Sequence, residues 1–160
     1  MFKIGDWVVY PGCGLGKVID IETKNIGKNT LKVYIIKLLN KESKFIVPIN
    51  SVKRIGLRHI ISKDKVNQVY EILSQNCPDL PNGNWNKRYK KYTNKLKSGD
   101  IFQLAELVRD LICYNKNKSL SFGEKKILKQ AKDLLVKELA FSEDCEETQI
   151  EEKILKILKV

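Results

Sequence analysis

Three glycines at alternate positions, Gly12, Gly14 and Gly16, stand directly ahead of Lys17 in Tyr-Pro-Gly-Cys-Gly-Leu-Gly-Lys-Val, residues 10–18. A glycine-rich run closed by lysine is the material of a phosphate-binding loop, whose backbone N–H groups cradle the anion. The spacing excludes that chemistry. A Walker loop needs four residues between its first glycine and the Gly-Lys pair, then Ser or Thr to reach magnesium. Here Gly12 and Gly16 enclose three, and Val18 takes the place of the hydroxyl. The anion should also meet a helix N-terminus, whereas Ile19 and Ile21 alternate with Asp20 and Glu22 in the manner of a strand. The glycines therefore predict a tight turn between two strands.

Other catalytic arrangements fail for want of residues. His59 is the only histidine and stands in the basic stretch Leu57-Arg58-His59-Ile60. The carboxylates Asp6, Asp20, Glu22 and Asp100 are scattered, with no metalloprotease or EF-hand spacing. Cys13, Cys77, Cys113 and Cys145 lie far apart without a C-x-x-C pair. That pattern suits zinc poorly and fits reduced thiols in a cytoplasm. A non-enzymatic protein with no cofactor or metal is expected.

Residues 84–97, Asn-Trp-Asn-Lys-Arg-Tyr-Lys-Lys-Tyr-Thr-Asn-Lys-Leu-Lys, hold six basic side chains and no acid. On a helix Trp85, Tyr89 and Tyr92 share one face. Arg88 and Lys91 lie close to it, and Lys87, Lys90 and Lys97 spread round the sides. Lysine and arginine neutralise phosphates and release counterions, giving affinity without sequence preference. A large aromatic at the helix start can wedge between base steps. The competing reading makes the aromatics anchors of a helical core and the lysines a solvated face. It is preferred for Tyr89 and Tyr92, whereas Trp85, at an exposed corner after a Pro-Asn-Gly-Asn turn, fits either.

The elements around these residues fall into two halves. Candidate strands are Trp7–Tyr10, Lys17–Thr23, Leu31–Leu39, Lys44–Pro48 and Val52–Ile55, which suggest a small, strongly bent sheet or barrel. After Arg58 the apolar period becomes helical. Val66, Val69, Tyr70 and Leu73 form one face, and the basic segment follows. Ile101, Leu104, Ala105, Val108, Leu111 and Ile112 form a second stripe. Ser121 and Glu124 have capping-box spacing ahead of Leu128, Ala131, Leu135 and Leu139. Ser142 and a run of acids precede a last helix carrying Ile150, Ile154, Ile157 and Leu158. The expected fold class is α+β: a β module over residues 1–60, then about five helices over 61–160.

The net charge of +11 divides as +7 over residues 1–62, +7 over 63–142 and −3 over 143–160. A basic body suits a polyanionic partner. No apolar run approaches the roughly 18 residues of a membrane span, and no signal peptide is evident. A cytoplasmic monomer is expected.

Seven blocks, in order along the chain, resemble the CarD/CdnL family of bacterial transcription regulators. They are Phe2 to Pro11, Val47-Pro48, Gly56-Leu57-Arg58 and Asn84 to Lys90 with Lys97 to Asp100, then Val108 to Leu111 and Leu120 to Lys125. The resemblance implies an N-terminal Tudor-like module that docks on the β-subunit lobe of RNA polymerase, similar to one in the transcription-repair coupling factor. It also implies a helical domain on promoter DNA near the minus-ten element, at the upstream edge of the transcription bubble. A tryptophan matching Trp85 would wedge into the minor groove and hinder bubble collapse, with Lys87, Arg88 and Lys90 on nearby backbone. Lys91 and Lys125 complete the expected DNA-facing set, and Lys24 and Ile46 mark the expected polymerase face. Two departures accompany the match: Cys13-Gly14 stands where members often have His-Gly, and Ile46 where they carry a basic residue. The alternative is a free-standing basic architectural DNA-binding protein that needs no polymerase.

Overall fold

The computed structural model describes residues 1–39, 41–78 and 84–160, and the chain divides into two compact units, Met1–Ile60 and Ile61–Val160. In the first unit β1 (Trp7–Tyr10), β2 (Gly14–Ile26), β3 (Asn29–Leu38), β4 (Lys44–Pro48) and β5 (Arg58–His59) form one antiparallel sheet in the order β4-β3-β2-β1-β5.

The glycine run is the β1–β2 turn. Tyr10 faces Gly14 across the hairpin, the Cys13 N–H donates to the Tyr10 carbonyl at 2.9 Å, and Gly12 takes a φ of 77°. Gly16 serves close approach instead: a Cβ there would stand 2.7 Å from Ile36 Cγ2. No phosphate is needed to explain either glycine.

Between Val18 and Asp20 the β2–β3 register shifts, leaving Ile19 without a partner in the ladder. Such a bulge bends the strand and sharpens its twist. The curl lets strands far apart in the sheet share one core. Val8, Val18, Tyr34, Ile36 and Val47 cluster with Phe2 and Leu57, and the Tyr34 hydroxyl accepts a hydrogen bond from the Phe2 N–H at 3.2 Å.

One expected strand is not a strand. Val52–Ile55 forms a single helical turn (α1), entered through a 3-10 turn at Ile49–Ser51 and stopped by the left-handed Gly56. Val52 and Ile55 pack on the sheet core from this turn, so tertiary burial overrides the strand preference of branched residues. The fifth strand is Arg58–His59, paired with Val8 and Val9.

The second unit contains α2 (Val66–Ser74), α3 (Trp85–Lys97), α4 (Ile101–Asn117), α5 (Phe122–Glu143) and α6 (Glu147–Ile157). Helix α4 packs against α2, α3 and α5. Its Leu107 and Leu111 are fully buried, as are Leu135 and Leu139 of α5 and Ile150 and Ile154 of α6. Burying each such side chain contributes roughly 1.5–3 kcal/mol. Helix α5 continues past Ser142, and the last helix starts five residues after it. Asp144 turns left-handed, and Glu146 with Gln149 forms the capping box of α6. The unit's first residue is pinned from both sides. The Ile61 N–H donates to the buried Glu138 carboxylate at 2.9 Å, and its carbonyl accepts from the Ser142 hydroxyl at 2.7 Å.

The cysteines correct the expectation of four reduced thiols. Cys77, just after α2, is bonded to Cys113 on α4, with Cα atoms 5.6 Å apart, while Cys13 and Cys145 remain thiols. The pair is 36 residues apart in sequence, so spacing gave no sign of it, and only packing of the helices brings the two together. Closing a loop of that length typically stabilises by about 2–4 kcal/mol, mainly by restricting the unfolded chain. Dithiothreitol is therefore expected to lower the thermal midpoint of the helical unit. In a Cys77→Ser variant the midpoint should already be low and indifferent to reductant.

Candidate nucleic-acid interface

The basic segment forms a helix because Asn84 caps it and nothing interrupts it. The Asn84 side chain accepts from the Lys87 N–H at 2.9 Å, satisfying one of the open donors of the first turn. Trp85 is then the first helical residue and Tyr89 lies one turn on. Their rings stack with centroids 4.9 Å apart and planes 18° from parallel, as residues four apart on a helix can. Deeper in the bundle, Tyr92 is buried, and that burial, with the neighbouring Glu124 charge, pushes its hydroxyl up to about 12.

The start of α5 meets the start of α3. The Trp85 indole Nε1–H donates to Ser121 Oγ at 3.3 Å. Ser121 is the N-cap of α5: its Oγ accepts from the Glu124 N–H at 3.2 Å and donates to Glu124 Oε1 at 2.8 Å. The Glu124 carboxylate is only 1% exposed and also accepts from the Ser121 N–H and from Arg88 Nε, the latter at 3.1 Å. Arg88 in turn lies over the Tyr114 ring, 5.0 Å from its centroid. Burial alone would raise the Glu124 pKa. The hydrogen bonds from Arg88 and Ser121, with the Arg88 charge, outweigh burial and hold it below the ordinary carboxylate value. The same pair raises the Arg88 pKa, chiefly through the hydrogen bond to Glu124.

Gly123 makes this junction possible. A Cβ on it would stand 3.1 Å from Tyr89 Cε2, so a side chain would press on the ring that supports the indole. One end of Trp85 is thus fixed by a hydrogen bond and one face by Tyr89, yet the residue remains 45% exposed. Holding an aromatic in place before it meets a partner reduces the ordering cost of binding.

The residues expected at a DNA face divide into two sets. Trp85, Lys87, Lys90 and Lys91 are exposed on α3, and Lys125 is exposed in the first turn of α5. Arg88 is turned inward to Glu124 and joins α3 to α5. Residues Trp85–Lys97 and the first turn of α5 include one carboxylate, Glu124, and it is buried and paired. The exposed field there is therefore cationic. Ser121, Glu124 and Phe122 were not anticipated as parts of this region. The capping-box spacing marked the first two only as the start of a helix.

In the sheet unit, Lys24 lies on β2 and is 3.9 Å from the Glu22 carboxylate. Ile46 lies on the edge strand β4, which among the described residues pairs with β3 alone, and is 53% exposed. Among the described residues no helix is long and apolar enough to cross a membrane, and no cluster of three or more His, Cys, Asp or Glu could hold a metal ion.

Comparison with known proteins agrees with this division. Residues 2–61 match the CarD-like/TRCF RID domain, and residues 68–155 match the CarD C-terminal domain. A Bacillus subtilis (strain 168) protein bearing the name "Putative transcription factor YdeB" is 33% identical over 152 residues, covering 94% of this chain and 97% of that protein. The five-stranded unit is accordingly Tudor-like. Matched in both of its units and along nearly all of its length, the chain belongs to the CarD-like family of transcription regulators.

Proposed function

We propose that the chain tethers itself to the RNA polymerase β subunit through its sheet unit and stabilises the open promoter complex with Trp85. The observation that carries this reading is Trp85 itself: an exposed indole, fixed by Ser121 and Tyr89, at the head of a cationic helix. Unstacking a base step costs on the order of a few kcal/mol. Polymerase has already met that cost at the upstream edge of the bubble, so an indole seated there favours the melted state over reannealing. Lys87, Lys90, Lys91 and Lys125 supply phosphate contacts. Arg88 acts as a positioning residue, holding α3 against α5 through Glu124.

The edge strand β4 suits the polymerase side. An unpaired strand edge can receive a strand of a partner, with main-chain hydrogen bonds giving affinity and side chains such as Ile46 giving fit. Tethering raises the local concentration of the DNA contacts, so weak and non-specific ones suffice. No chemical step is required of the chain.

The test is the lifetime of polymerase–promoter open complexes challenged with competitor, with and without the full chain. A several-fold longer lifetime is expected, together with capture of the chain by the isolated β lobe. An unaltered lifetime and no capture, alongside tight binding to plain duplex, would favour the architectural alternative instead.

A further inference from the structure

We propose that Phe122 is a second apolar DNA contact, set beside Trp85, so that this end of the helical unit meets DNA with two aromatic side chains. The inference rests on the proposed role of Trp85 and extends it to a residue on another helix. Phe122 is the first residue of α5 and is 86% exposed. A single exposed apolar side chain is ordinary on a protein surface, but this one has specific neighbours. Ser121, immediately before it, holds the indole of Trp85, and Gly123, immediately after it, lies against Tyr89. The buried Glu124 network fixes the turn that carries Phe122.

The chemistry of the surroundings indicates the occupant. Exposed Lys125 and Lys126 follow on α5, and exposed Lys87, Lys90 and Lys91 lie on α3. An exposed apolar ring at the junction of two lysine-bearing helices, with the Glu124 carboxylate buried, is complementary to a polyanion that also offers apolar surface. Duplex DNA does so through its deoxyribose walls and partly unstacked base steps, and proteins that bind the minor groove insert phenylalanine in this way. Trp85 would take the opened step while Phe122 lies along the adjoining groove wall.

The experiment measures binding of the full chain to a short duplex bearing a mismatched, unstacked step, by fluorescence anisotropy over a range of salt. Phe122→Ala is expected to weaken binding roughly tenfold, by loss of apolar burial, leaving the salt slope and the thermal midpoint at wild-type values. Lys125→Ala, removing a phosphate contact, is expected to lower the salt slope by about one. If Trp85→Ala weakens binding and Phe122→Ala does not, the Phe122 proposal is overturned and the role of Trp85 stands. If neither variant matters, both fall. Loss of polymerase binding by Phe122→Ala, with DNA affinity unchanged, would assign the ring to a protein partner and also overturn the proposal.

Discussion

Trp85→Ala will shorten the lifetime of open complexes while leaving capture by the polymerase β lobe unchanged. Base–aromatic stacking contributes about 1–3 kcal/mol, enough to account for the whole several-fold lifetime gain conferred by the chain, so most or all of that gain should be lost. The indole is 45% exposed and its contacts are one hydrogen bond and one stacked ring. Its removal should therefore change stability far less than function. Trp85→Phe separates the two contributions: it keeps an apolar ring for stacking but loses the Nε1 donor to Ser121, so an intermediate lifetime is expected. A folded Trp85→Ala protein that prolongs the open complex as well as wild type would eliminate the wedge.

The second large effect concerns stability. Removing one member of a buried ion pair costs about 3–5 kcal/mol, because the other charge is left buried without compensation. Glu124→Ala leaves Arg88, whose side chain is 15% exposed, in that position and also strips Ser121 of a partner. Chemical denaturation followed by helical circular dichroism should show a loss in that range, and a loss below about 1 kcal/mol would mean that the pair is dispensable. Any Glu124→Gln protein that folds should keep part of the capping box yet lose the charge.

The pH dependence has a definite sign. The Glu124 pKa is lower in the folded protein than its ordinary value of 4.5, so the unfolded chain binds the proton more readily. The contribution is complete above about pH 4.5 and is lost as pH falls through the folded value. The wild-type protein should therefore lose stability on acidification below that point more steeply than Glu124→Gln, in paired denaturation series.

Local patterns carried much of this in the sequence. Trp7–Tyr10 and Lys44–Pro48 are strands at their expected limits, and α3 begins at Trp85 as expected, while the Pro-Asn-Gly turn expected ahead of it lies outside the described residues. Those features depend on residues close in sequence. Val52–Ile55 was misread because branched residues suit strands, while its actual conformation depends on packing against the sheet core. The site shows the same division. The lysines and Trp85 announced a basic helix with an aromatic at its head, and the capping box announced the next helix start. That Arg88 leaves the exposed set depends on Glu124, 36 residues away, and no periodicity reports such a pairing. Phe122 was hidden for a related reason. One phenylalanine at a helix start carries no pattern, and it becomes informative only once Ser121 is seen to touch Trp85.

The bond between Cys77 and Cys113 also has a topological meaning. All of α3 lies between those two cysteines, so the helix that presents Trp85 is part of a covalent ring closed on α4. Fraying can loosen its packing, but α3 cannot drift from the bundle on a free chain end. Even a single backbone break inside the ring would leave both fragments joined, with the indole still attached to the rest of its unit.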